Sequence, residues 1–114
     1  MTITEPGGAD GRVPGTTRIS ARAVERLAAY LARDAGHVPA GRVAVRLADA
    51  AGALTVAVTL PVAVGGGVTG TVAERSAEVR GHVIAGLRDL AGRTVGRVDV
   101  RYAGVHRISG RRAL

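Results

Sequence analysis

The sequence predicts an α+β protein: a two-layer sandwich with two helices on one face of a three-stranded sheet, in the order α-β-β-α-β. Three observations carry this. Two segments repeat apolar residues at helical spacing. Three others alternate apolar and polar residues strictly. Capping residues, glycines and prolines mark the boundaries between them.

The first helix is expected over 20–35. Ser20 is a good N-cap, and Ile19 before it is placed to pack on Val24 as a hydrophobic staple. Val24, Leu27, Ala28, Leu31 and Ala35 form one helical face. Gly36 is a natural C-cap, and Pro39 prevents continuation.

Two strands follow, at 42–48 and 54–62. In the first, Val43, Val45 and Leu47 face one way, and Arg42, Ala44 and Arg46 the other. In the second, Leu54, Val56, Val58, Leu60 and Val62 oppose Thr55, Ala57 and Thr59. Period-two alternation means one buried face and one wet face. The intervening Asp49–Ala53 reads as a hairpin turn.

Thr71 and Glu74 make a capping box for a second helix over 72–91, closed by Gly92. Its expected core stripe is Val72, Ser76, Val79, Val83, Leu87 and Leu90, with Gly81 and Gly86 lowering its intrinsic helicity. A third strand at about 94–103 sets Val98, Val100 and Tyr102 against Arg97, Asp99 and Arg101. Its partner, the first strand or the second, is left open by the pattern. If it runs parallel to the second, the crossover is right-handed.

The ends differ in character. Residues 1–16, with four Gly and two Pro, read as a flexible N-terminal arm. Residues 17–104 make the domain, and 105–114 a polar, basic tail. The arm has no apolar run, so it is not a secretory signal, and no window is apolar enough to span a bilayer. A cytoplasmic, soluble chain is expected.

Composition excludes several chemistries. All 16 basic side chains are Arg, and there is no Cys, Phe or Trp. That removes disulfides, thiolate metal sites, Schiff bases and the P-loop lysine. Two Tyr are too few for a base-stacking platform. The net charge of +7 points to an anionic partner, nucleic acid or a membrane surface. It divides into −1 on the arm, +5 on the domain and +3 on the tail.

Candidate sites are few. Gly65–Gly70 satisfies G-x-G-x-x-G between a strand and a helix. A dinucleotide fold, however, needs parallel strands buried on both faces, whereas the second strand alternates with Thr. The loop therefore reads as a glycine-rich turn. Gly67–Gly70 also fits the GxxG of KH domains, though it opens a helix directly and holds no basic residue.

Arg22, Arg26 and Arg33 align on the first helix, and Arg107, Arg111 and Arg112 lie in the tail. These six form a candidate anion- or partner-facing surface, able to attract acidic lipid or RNA weakly. Ala44, Thr55, Ala57 and Thr59 form a small, weakly charged outer sheet face, a candidate assembly surface alongside any unpaired edge strand. His37, His82 and His106 show no spacing that pairs them with a carboxylate or metal partner, and no G-x-S-x-G is present. The expectation is no catalytic residue, no metal site, no cofactor and no enzyme.

The segments TRISARAVERLAAYLARDAG, VAVRLADAAGALTVAVTLPVAV and VAERSAEVRGHVIAGLRDLAGRTVGRVDVRYAGV together resemble the alkaline shock protein family, or Gls-type envelope stress response proteins. The match covers about residues 17–105. It includes the Ile19-Ser20 helix start, the Val-rich hairpin, the helix beginning near Val72-Ala73-Glu74, and Gly92 followed by Val98-Asp99-Val100. Where relatives often carry Tyr-Gly then Ile-Pro before the second helix, this chain has Val64–Val68 without proline.

The resemblance implies a non-enzymatic bacterial protein of cell-envelope homeostasis. Such a protein self-associates and sits at the inner face of the membrane through a membrane-anchored partner. The basic balance adds weak contact with anionic lipid to these expected partners. A KH-like RNA- or ribosome-associated module is the alternative.

Overall fold

The computed structural model describes residues 20–109. The arm at 1–16, Ile19 and the tail arginines Arg111 and Arg112 lie outside the described residues. The elements are α1 (Ala21–Gly36), β1 (Ala44–Ala50), β2 (Ala53–Gly65), α2 (Val72–Ala91) and β3 (Val95–Ile108), with one 3-10 turn at Ala40–Arg42. The α+β class and the α-β-β-α-β order are as expected.

Ser20 caps α1, its hydroxyl accepting from the Ala23 N–H at 3.1 Å. Val24, Ala28, Leu31 and Ala32 are buried, while Leu27 and Ala35 pack at the margin of the core. The helix runs one residue further than expected, because Gly36 is not its left-handed cap. A Cβ at Gly36 would lie 2.5 Å from Leu60 Cδ1, so this glycine permits close approach to the sheet. His37 takes the left-handed position instead, at φ 59°.

The Asp49–Ala53 turn narrows to two residues. Ala50 pairs with Ala53, and both Ala51 (φ 53°) and Gly52 (φ 84°) have positive φ, as a type I′ hairpin turn requires.

β2 is the central strand, antiparallel to β1 and parallel to β3. The third strand therefore pairs with the second. Leu54, Val56, Val58 and Leu60 are buried, but the alternation breaks at Pro61. A register shift against β3 falls between Leu60 and Val62, so Ala63 is buried and the expected Val62 is only half-buried. Pro61 lies beyond Thr59, the last β2 residue paired to β1. Its missing N–H thus falls where β2 has lost one neighbour.

The capping box of α2 forms reciprocally. Glu74 N–H donates to Thr71 Oγ1 at 3.0 Å, and Thr71 N–H to Glu74 Oε1 at 2.8 Å. Gly92 closes the helix at φ 64°. Val79, Val83 and Leu87 are buried, but the outer members of the expected stripe, Val72 and Leu90, are exposed. They sit in the first and last turns of the helix, at the margin of the sheet's cover. The α1–α2 contact is close, because Gly86 faces Leu31 directly.

β3 extends to Ile108, well past 103. Val105–Ile108, expected in the tail, pair with Val62–Gly65 of β2. This extension fixes the glycine loop. A Cβ at Gly65 would lie 2.8 Å from the Ile108 carbonyl oxygen, and one at Gly66 would lie 2.4 Å from Ile108 Cγ2. Both glycines also have positive φ.

Candidate anion-binding face

The helices cover one face of the sheet and leave the other open. Alternation alone gives each strand an outward row. Strand order then decides which rows become neighbours. With β2 central, three cross-strand lines form: Ala44–Thr59–Arg101, Arg46–Ala57–Asp99 and Ala48–Thr55–Arg97. The flanking rows stand about 10 Å apart at the backbone, twice the strand spacing.

The result is an open trough of about 670 Å³. Ala44, Ala57 and Thr59 line its floor, and Thr55 continues that floor along β2. Arg46 forms one wall, and Arg97 and Arg101 the other. The proposed assembly residues are thus brought together, but their surroundings are strongly basic, contrary to the expectation of weak charge. The sequence signal was present, since Arg42 and Arg46 in one strand and Arg97 and Arg101 in another already shared the outward phase. The missing information was the order of the strands.

Charges in the trough are unequally neutralised. Arg97 Nε lies 2.9 Å from Asp99 Oδ1, so these two largely cancel. Among the described residues, neither Arg46 nor Arg101 forms an ion pair with a carboxylate. Arg42, in the 3-10 turn before β1, brings its Nη2 to 3.9 Å from the point a Gly104 Cβ would occupy, which places a further cation beside β3. Arg80 reaches from α2 and donates through Nε to the Val98 carbonyl at 3.1 Å, and Arg75 of α2 donates to the Ala63 carbonyl. These two arginines tie the helix to the sheet.

The six arginines singled out from sequence do not form one site. Arg22 and Arg26 flank a shallow dent with Val43 and Val45, between α1 and β1. Arg33 lies at the other end of α1, its guanidinium 4.9 Å from the Tyr30 ring centroid. Arg107 is an exposed residue of β3, and Arg111 and Arg112 lie outside the described residues.

One histidine departs from expectation. His82 Nε2 lies 3.2 Å from Asp34 Oδ2, linking α2 to α1. Sequence spacing could not show this pair, because the two residues are distant in the chain. Among the described residues, no group of three His, Asp or Glu is placed to hold a metal ion. At the end of α2 the Arg88 guanidinium, bonded to Asp89 at 2.9 Å, holds that carboxyl below the usual carboxylate range. The hydrogen bond is the larger cause and charge the smaller, and the guanidinium is raised in turn.

The arrangement can bind anions. Guanidinium groups on two walls suit oxyanions, and the Thr55 and Thr59 hydroxyls add neutral donors between them. Comparison of the chain with protein-family models, with curated proteins and with solved structures found no match.

Proposed function

We propose that this protein is a non-catalytic binding module of the alkaline-shock type. It acts in cell-envelope homeostasis by associating with itself and with a membrane-anchored partner on the cytoplasmic side. The resemblance of its segments to that family motivates the reading. The observation that carries it is the edge of β3. This strand has 14 residues and, among the described residues, pairs only on its β2 side. A long open edge is a template for strand addition.

The edge is only partly guarded. Arg80 occupies the Val98 carbonyl, and the positive-φ Gly104 sits at the register shift. Just beyond it, Val105 is 53% exposed. No helix among the described residues is long and apolar enough to cross a membrane, so an anchored partner supplies the placement in this reading.

Light scattering across a concentration series tests the self-association, with a photo-crosslinker at Val105 to locate it. The expected result is a concentration-dependent oligomer, crosslinked through β3 and weakened by Val105→Arg. A strictly monomeric chain, with no crosslinked membrane protein in cells, sinks the proposal.

A further inference from the structure

We infer that the trough on the uncovered sheet face binds the sugar-phosphate backbone of double-stranded RNA, with Arg46 and Arg101 as the principal phosphate contacts. This is a second activity, independent of association through the β3 edge.

The walls define the charge of the ligand. Arg46 and Arg101 stand on opposite sides of the β2 floor, and Arg107 lies further along β3, opposite Val64. Asp99 is the one acid in the trough, and Arg97 already holds it at 2.9 Å. What remains is a surplus of guanidinium groups, each offering a planar fork of donors to phosphate oxygens.

The floor discriminates among anionic partners. A protein partner draws most of its affinity from a few large apolar or aromatic anchors in fitted pockets. Ala44, Ala57 and Thr59 present only small side chains, with no large apolar surface for such an anchor to pack against. A planar lipid surface meets the rims of a trough but does not reach its floor. A polyphosphate ridge does reach it, and there Thr55 and Thr59 add hydroxyl contacts of the kind that commonly hold sugar and phosphate.

The absence of aromatic side chains on this face selects the duplex. Single strands are held largely by base stacking, and none of the trough residues is aromatic. Duplex DNA offers the same phosphate charge but no 2′-hydroxyl for the Thr55 and Thr59 hydroxyls to contact. The A-form minor groove is wide and shallow and displays 2′-hydroxyls. The phosphate ridge bordering that groove seats between the two arginine walls, with the threonine hydroxyls on the floor within reach of the adjoining 2′-hydroxyls. Recognition is by shape and backbone, without sequence preference.

The test is fluorescence anisotropy of the full chain with a labelled RNA duplex of about 16 base pairs, the span of ordinary double-stranded-RNA domains. With two to three phosphates neutralised, affinity should fall about 10- to 40-fold between about 50 and about 200 mM salt. Arg46→Glu with Arg101→Glu should cost at least about tenfold at low salt, whereas Arg22→Glu with Arg26→Glu, an equal charge change on α1, should cost under about threefold. Circular dichroism checks that both double variants fold, and light scattering should find their self-association unchanged.

Several results overturn the inference. One is no binding at low salt. Another is equal loss in the two double variants, which would mean bulk charge without a site. Tighter trough-dependent binding of duplex DNA, single-stranded RNA, polyglutamate or phosphatidylglycerol vesicles would assign the face to that ligand instead. None of these bears on association through β3.

Discussion

Gly86 of α2 meets Leu31 of α1 with no room for a methyl group between them. A Cβ at Gly86 would lie 2.5 Å from both Leu31 Cδ1 and Leu31 Cδ2, and 3.0 Å from Cγ. Gly81, five residues earlier on the same helix, would meet nothing within 4 Å. The two glycines are equal in helix propensity and opposite in packing.

Alanine at each position should therefore act with opposite sign. Gly81→Ala is expected to stabilise by up to about 1 kcal/mol through helix propensity alone. Gly86→Ala gains the same propensity but overpacks the helix contact, for a net loss of about 1–2 kcal/mol. Urea denaturation of both variants measures this. A stabilising Gly86→Ala would show that the helices separate freely.

The hairpin holds an alanine where the turn wants asparagine or glycine. Ala51 sits at φ 53°, a conformation that costs an ordinary residue about 1 kcal/mol. Ala51→Asn should raise stability by about 0.5–1 kcal/mol without altering the register of β1 and β2. Thermal unfolding reads the gain, and unchanged cross-strand contacts by NMR confirm the register.

The glycine loop makes a positional prediction. Gly66→Ala combines a positive φ with a collision at Ile108, whereas Gly67→Ala meets nothing within 4 Å. The first should cost about 2 kcal/mol or more and speed amide exchange at residues 105–108. The second should cost about 1 kcal/mol and leave that segment protected. Equal effects would mean that Ile108 does not rest on the loop.

Acid titration tests the Arg88–Asp89 pair. The Asp89 carboxyl is depressed in the folded chain, chiefly by its hydrogen bond to Arg88. Its contribution is therefore complete above the ordinary carboxylate pKa of about 4, and is lost as pH falls through the lower folded value. Both groups are well exposed, so the contribution is small. Asp89→Asn should leave unfolding at neutral pH nearly unchanged and flatten only the most acidic part of the stability curve.

Most of the architecture was legible in the sequence because its signals are local. Ser20, the Thr71–Glu74 box and Gly92 fix helix ends through their own backbones, and the alternation in β1 and β2 needs only a buried face. Failures occurred where distant residues meet. Gly36 looked like a cap, but Leu60 approaches it from the sheet. Val62 kept the alternation on paper, but the register shift at Pro61 turned Ala63 inward. The third strand reads from its alternation as ending at about 103, yet pairing of Val105–Ile108 with Val62–Gly65 carries it to Ile108.

The candidate site was half legible for the same reason. Its floor comes from Ala44 of β1 and from β2, two strands joined by a hairpin, and could be named directly. Its walls come from strands on either side of β2, and only strand order reveals that Arg46 and Arg101 belong to one surface.

The double pairing of β2 has a kinetic consequence. Its β1 side closes through a two-residue turn, whereas its β3 side joins Leu54 to Val95 across the whole of α2. Local closure takes microseconds, while the long-range pairing must first meet a much larger loop-closure entropy. The hairpin and α1 should therefore condense early, with β3 zipping onto a waiting edge. In that interval the Leu54–Leu60 strip is unsheltered on one side, and a neighbouring nascent chain offers the same strip. Substitutions at Val98 should change the unfolding rate most, and those at Val56 the folding rate.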